Sequence, residues 1–283
     1  MNHLIQFMTI NGKIMPCNTL CLSPYDRGIT LGHGLFETMR AHKGCLPLLA
    51  YHWQRLVNSA PLLDLKIPFT FSELQAMAEE LLLKNNLTEQ NVGMRLTITD
   101  GISERGIVRQ DDSIPTFFMT CFPLPQKTTI ALTATVVSAR RNEQSLTSRV
   151  KSTSYLENVL AKKDAIARGF DEAFLLNTQS QLAEGSTTNV FVVYKQIIYT
   201  PPITDGALPG VIRHVLLNDL DLHPFTIEER SIDLPMLFAA DAIFISNAIM
   251  GLQAIGKLDG VEFSGLFKVT SLINNLFEKQ FYD

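Results

Sequence analysis

The sequence predicts an α/β protein of the α+β type, with a small N-terminal α/β domain and a larger strand-rich domain carrying peripheral helices. Three observations predict it. Segments of two-residue and helical apolar periodicity alternate through the first 122 residues. "PLPQKTT" then breaks the pattern with two prolines around one residue, ahead of a polar run. Apolar, β-branched segments dominate the remainder of the chain. The boundaries are therefore drawn as a domain over 1–122, a linker over 123–127 and a domain over 128–283. A chain of 283 residues, 46% apolar and 18% charged, has the material for two cores.

The elements are read in chain order. "FMTINGKIMP" reads as a hairpin turning at Asn11-Gly12, and "LFETMRAHKGCLPLL" as a second turning at Lys43-Gly44. "LAYHWQRLVNSAPLLDL" and "FSELQAMAEELLLKNNL" carry apolar residues at helical spacing, the latter with Ser72 as N-cap. "VGMRLTITDG" and "IPTFFMTCFPL" alternate as strands. Beyond the linker, "IALTATVVSAR" and "EAFLLN" read as strands, and "SYLENVLAKKDAIARGF" as a helix ending at Gly169. Val190–Val193 and Ile197–Tyr199 form a hairpin around "YKQ". "PGVIRHVLLNDL" is a helix begun by Pro209-Gly210, and "DAIFISNAIMGLQAI" gives two strands around a polar break.

Composition excludes several function classes. A net charge of −4 without a long basic run argues against a nucleic-acid surface. The four cysteines make no CxxC pair, and His33, His42 and His52 have no common ligand spacing, so no metal is expected. Buried free thiols, no leader-like N-terminus and no apolar run of membrane-spanning length give a cytoplasmic expectation with no membrane partner. "GHGLFE" lacks the third glycine of a dinucleotide loop, and no GxxxxGK[ST], GxSxG or HExxH occurs.

Several single residues carry chemistry only in combination. Lys151, where a strand gives way to a helix, reads alone as a surface lysine, and Arg55 on its helix as an exposed arginine. "LPGVIR" offers the backbone N–H groups of Val211 and Ile212 at a helix start, a ready anion site. Ser246, Asn247 and Ala248 sit in the polar break, which reads equally as a turn. Glu184, a lone carboxylate before a hydrophobic strand, needs either water or a positive partner.

In this order, these segments resemble the fold type IV pyridoxal-phosphate enzymes, the class IV aminotransferase family. That family includes branched-chain aminotransferases, D-amino-acid aminotransferases and aminodeoxychorismate lyases. The similarity runs from "DRGITLGHGLFETMR" through "HWQRL", "KSTSYLENVLAKKDA", "EGSTTNVFVV" and "YTPPITDGALPGVIR" to "SNAIMG". The resemblance implies pyridoxal 5′-phosphate as cofactor and Lys151 as the residue that binds it covalently. It implies Arg55, Val211, Ile212, Asn247 and Ala248 around the phosphate, Tyr155 near the ring oxygen, and Glu184 beside the ring nitrogen. It also implies a small-molecule substrate and a homodimer. Val211-Ile212 departs from relatives with Ile-Thr there, and Ser154 from those with asparagine.

Within the family the sequence is most similar to the aminodeoxychorismate lyases, which implies elimination of pyruvate to give 4-aminobenzoate, a folate precursor. Arg95 and Arg105 match basic positions of the lyases and suit a substrate with two carboxylates; alone they read as arginines flanking a loop. Thr38 falls where a hydroxyl would help pyruvate leave. In "TDG", Asp100 replaces the arginine of the D-amino-acid enzymes, and its carboxylate is expected to repel an amino acid's own. The alternatives are an amino-acid aminotransferase and a catalytically idle scaffold.

Overall fold

The computed structural model describes residues 5–19, 22–109, 112, 114–126, 130–263 and 266–282. Lys127 of the expected linker, residue 128 at the start of the expected second domain, and Cys21 lie outside the described residues. The chain divides into two compact units, Met1–Pro125 with Val150–Ser154, and Gln126–Arg149 with Tyr155–Asp283. The short return to the first unit carries Lys151, which a single linker does not anticipate.

The first unit is built on an antiparallel sheet of β1 (Phe7–Ile10), β2 (Lys13–Pro16), β3 (Gly34–His42), β4 (Asn91–Thr99) and β5 (Thr116–Pro123), in the order β2-β1-β5-β4-β3. Asn11 and Gly12 both take positive φ, as a tight hairpin turn requires, and join β1 to β2. The second expected hairpin is not there. Lys43 and Gly44 do turn with positive φ, but only a single bridge, His42 to Cys45, forms beyond them. Pro47 has no N–H to give a ladder, and the chain enters a helix two residues later. β3 pairs instead with β4, in register Thr38↔Arg95.

Three helices accompany this sheet: α1 (Arg27–Thr30), α2 (Leu49–Ser59) and α3 (Phe71–Lys84). Leu74, Ala78, Leu81 and Leu82 bury one face of α3, and each buried leucine is worth about 1.5–3 kcal/mol. The cap of α3 is Thr70, not Ser72. Thr70 Oγ1 accepts from the Glu73 N–H while the Glu73 carboxylate accepts from the Thr70 N–H, a reciprocal box available only one residue before the helix. The core joins Leu35, Met39 and Ala41 of β3 to Met94, Leu96 and Ile98 of β4 beneath these helices.

The second unit holds a mixed sheet of β6 (Leu132–Arg141), β7 (Glu172–Asn177), β8 (Leu182–Gly185), β9 (Asn189–Tyr194), β10 (Ile197–Thr200), β11 (Thr226–Glu229), β12 (Ala242–Asn247), β13 (Gly251–Leu258) and β14 (Val261–Glu262). Its order is β11-β10-β9-β12-β13-β6-β7-β8, with β14 paired to β13. β7 is buried along its whole length and β9 and β12 nearly so, which explains their unbroken apolar runs. Around it lie α4 (Leu156–Ala167), α5 (Val211–Asn218), α6 (Leu234–Phe238) and α7 (Leu266–Phe281). Ala161 and Ala165 of α4 pack on Val137, Ala173 and Leu175. Among the described residues no helix is long and apolar enough to cross a membrane. Burial of the thiols is corrected in part: Cys121 is buried, but Cys17 and Cys45 are exposed.

Candidate active site

In the first unit, β3 organises the chemistry. It is the edge strand, and the segment carrying Lys151 docks along its open side. The Phe36 N–H donates to the Lys151 carbonyl at 2.9 Å, and the Thr153 N–H to the Gly34 carbonyl at 2.9 Å. The Lys151 ammonium nitrogen lies 4.4 Å from the centre of the Phe36 ring, and the Arg95 guanidinium lies 3.7 Å from it. Cation–ring contacts of this kind hold both groups against one aromatic side chain. Thr38 is two residues beyond Phe36 and directly across from Arg95, so all three share a face of the sheet. Arg40 continues that face, opposite Gly93, and is buried. Sequence reasoning missed Arg40, although its spacing from Phe36 and Thr38 marks it.

On the other face of β3, between Phe36 and Thr38, Glu37 points into the core beneath α2. Arg55 Nε donates to Glu37 Oε1 at 2.8 Å and Nη2 to Oε2 at 2.5 Å, while His52 Nδ1 lies 2.6 Å from Oε2. Arg55 is thus not an exposed helical arginine. Burial alone would raise the Glu37 pKa, but the Arg55 charge and the bonds from Arg55 and His52 outweigh it and bring it to about 2. Burial, more than the opposing pull of Glu37, lowers the pKa of His52. A neutral His52 donates through Nδ1, and its buried Nε2 has no hydrogen-bond partner. This cluster too was legible: an acid at a core-facing position of an alternating strand needs a cation, and His52 and Arg55 share a helix face at i, i+3.

Arg105 is exposed, on the segment 101–109 that leaves β4. That segment is held by a buried ionic group. Arg27 Nε lies 2.9 Å from Asp100 Oδ2, and its two terminal nitrogens donate to the carbonyls of Gly106 and Ile107 at 3.0 and 2.7 Å. Arg109 Nη1 approaches Asp100 Oδ2 to 3.0 Å and donates to the Asp100 carbonyl, and His33 Nδ1 lies 3.5 Å from the same oxygen. The expectation that Asp100 repels a substrate carboxylate is corrected. Its charge is buried and met by two guanidinium groups, which a local reading of "TDG" could not reveal.

In the second unit, the start of α5 is an anion cradle. Gly210 occupies the N-cap position without a side-chain cap, leaving the first N–H groups of Val211 and Ile212 to a ligand. Only glycine fits there, since a Cβ would lie 1.9 Å from Asn189 Oδ1. Asn189 Nδ2 donates to the Leu208 carbonyl, and the Leu208 N–H donates to Glu184 Oε2 at 2.9 Å. Glu184 Oε1 also lies 3.3 Å from Arg141 Nε, the positive partner that its burial demands. Across the strand from Asn189, the buried Ser246 hydroxyl has no hydrogen-bond partner. An uncapped helix start beside an orphaned hydroxyl fits a phosphate group.

Asn247 Oδ1 accepts from the Ile249 and Met250 N–H groups, which shapes the break between β12 and β13 and holds half-buried Ala248 in the turn. Tyr155 is half-buried at the N-cap position of α4. Val211, Ile212, Asn247, Ala248 and Glu184 therefore belong to one unit with Tyr155, whereas Lys151, Arg55, Arg95, Arg105 and Thr38 belong to the other.

A profile of the family described as "Amino-transferase class IV" matches residues 34–258. The aminodeoxychorismate lyase of Bacillus subtilis is 32% identical over 277 residues, covering 96% of this chain and 93% of its own. The D-alanine aminotransferase of Listeria innocua is 27% identical, covering 96% and 94%. The branched-chain aminotransferase of Thermoproteus uzoniensis, solved with norvaline, superposes with a TM-score of 0.90 at 25% identity, covering 97% and 94%.

Proposed function

The chain belongs to the class IV amino-transferase family, and from that premise we propose that it is a pyridoxal-5′-phosphate-dependent 4-amino-4-deoxychorismate lyase. When bound, the cofactor supplies an electron sink for the carbon that bears the substrate's amino group. Lys151 would hold it through its amine, and the same amine is suited to take the proton from that carbon. Arg55, the N–H groups of Val211 and Ile212, and Asn247 with Ala248 would hold the phosphate. The orphaned Ser246 hydroxyl is suited to join them. Glu184 would partner the ring nitrogen, whose protonated form a carboxylate favours, and Tyr155 would lie near the ring oxygen.

The observation that carries the lyase reading is the pairing of Thr38 with Arg95 on the sheet face where the Lys151 amine meets Phe36. Arg95 suits a substrate carboxylate, Arg105 a second one, and Thr38 is suited to assist the departure of pyruvate. The substrate's atoms divide completely between pyruvate and 4-aminobenzoate, so no amino acceptor is consumed. The likeness to the Bacillus subtilis lyase along nearly the whole chain supports the same reading.

An amino-acid aminotransferase is the second reading, and one observation favours it: Asp100, neutralised by Arg27 and Arg109, no longer opposes an amino-acid carboxylate. The purified chain given aminodeoxychorismate alone should release 4-aminobenzoate and pyruvate. Keto-acid formation only with an added acceptor would decide for the aminotransferase, and silence in both assays for the idle scaffold.

We also propose a homodimer. Ile102, Ile107, Val108 and Ile114 are exposed on or beside the pinned 101–109 segment, and exposed apolar side chains of this kind suit a partner surface. Sedimentation equilibrium should return twice the chain's mass, and a monomer mass would contradict it.

A further inference from the structure

Phe36 and Glu37 are consecutive on β3, and each holds one of two groups the proposed chemistry needs. The backbone of Phe36 carries the Lys151 segment, and the side chain of Glu37 carries Arg55. We propose that Glu37 is the positioning residue for Arg55, and that β3 thereby sets the guanidinium relative to the Lys151 amine. The proposal rests on the reading of Arg55 as a phosphate-holding residue.

A free arginine is flexible. Its side chain carries about 2 kcal/mol of rotamer entropy, which a ligand must otherwise immobilise. Here two contacts to one carboxylate, from Nε and Nη2, fix both the plane and the direction of the guanidinium before any ligand arrives. The clamp works where water is largely excluded, with side chains 3% and 9% exposed. His52 completes it by donating to the same carboxylate. A neutral His52 adds no third charge, so one cation and one anion are buried together. Glu37 stays ionised at working pH, which the clamp requires.

Charge and positioning make opposite demands. A carboxylate behind Arg55 opposes a phosphate dianion, so if Glu37 acted only through its charge, Glu37→Gln would tighten phosphate binding. If it acts by orientation, Glu37→Gln weakens binding despite the lost repulsion. The sign of the change discriminates.

The test is a titration of the full-length chain, stripped of cofactor, with pyridoxal 5′-phosphate and in parallel with pyridoxal, followed by protein fluorescence. Glu37→Gln should raise Kd for pyridoxal 5′-phosphate about tenfold, by analogy with metal sites that lose the group orienting a ligand residue. Kd for pyridoxal should not change, because it has no phosphate for Arg55 to meet. In an Arg55→Lys background, Glu37→Gln should have no further effect, since the group it orients is gone. Should Glu37→Gln fail to fold, Glu37→Asp, which shifts the carboxylate but keeps its charge, is carried through the same cycle with the same direction expected. Unchanged or tighter binding of pyridoxal 5′-phosphate would overturn the proposal, as would effects that simply add in the double variant. If Arg55→Lys alone left Kd unchanged, the phosphate-holding reading of Arg55 would fall first, and the two failures are distinguishable.

Discussion

Asn189 and Gly210 meet so closely that the oxygen of one occupies the space a side chain on the other would need: a Cβ on Gly210 would stand 1.9 Å from Asn189 Oδ1. Asn189 cannot easily retreat. It is buried, and its amide nitrogen holds the Leu208 carbonyl in the same turn that gives an N–H to Glu184. Gly210→Ala should therefore disturb the α5 start and Glu184 together. The expected cost is about 1–3 kcal/mol in urea unfolding, the usual range for overpacking, with weaker binding of pyridoxal 5′-phosphate. Backbone strain is not the cause, since Gly210 has an ordinary φ of −67°.

Acid sensitivity arises from Glu37 and His52. The Glu37 pKa falls from 4.5 to about 2 on folding, so its contribution is whole above pH 4.5 and is lost as pH drops from 4.5 towards 2. By linkage, that contribution is ~3 kcal/mol. His52 is also depressed from 6.5, so the unfolded chain takes up a proton that the folded one refuses, and stability declines as pH falls below about 6.5. Urea midpoints measured from pH 8 to pH 3 should fall in both windows. Glu37→Gln should flatten the lower window. A wild-type midpoint constant between pH 5 and pH 3 would contradict the assignment.

Asp100 is the common anion of Arg27 and Arg109. Removing it takes from Arg27 and Arg109 the buried carboxylate that they share, and breaking a buried ion group in this way costs about 3–5 kcal/mol. Asp100→Asn should lower the unfolding free energy on that scale. It should also loosen the 101–109 segment, read as faster cleavage by trypsin after Arg105. Cleavage no faster than in the wild type would show that Arg27, through its bonds to Gly106 and Ile107, holds the segment unaided.

Much of this was legible in the sequence, for identifiable reasons. Strands β9, β12 and β13 and helices α3, α4 and α5 announce themselves because burial imposes period and their ends carry glycine, proline or polar breaks. Glu184 posed the right question, and Arg141 is part of the answer, yet the two are 43 positions apart and only β6 and β8 bring them together. The expected hairpin after β3 failed because a turn signal at Lys43-Gly44 fixes a reversal and not the presence of a partner strand; Pro47 withheld it. The cap of α3 was misplaced by two residues because Ser72 and Thr70 both have hydroxyls, and only the Thr70–Glu73 spacing closes the box. Long-range charge pairs were the least legible: Arg27 with Asp100 and Glu37 with Arg55 depend on which faces the strands turn inward. Arg105 is exposed, and Arg40 shares the sheet face of Thr38 and Arg95.

Lys151, seated on the edge of β3 through the backbone of Phe36, is the proposed covalent anchor of the cofactor. The direct measurement is to load the purified chain with pyridoxal 5′-phosphate, reduce it with borohydride, digest it and locate the mass addition. It should appear once, on the peptide containing Lys151, and vanish in Lys151→Ala. A stoichiometric addition on any other lysine, or one that survives that substitution, would contradict the assignment of Lys151.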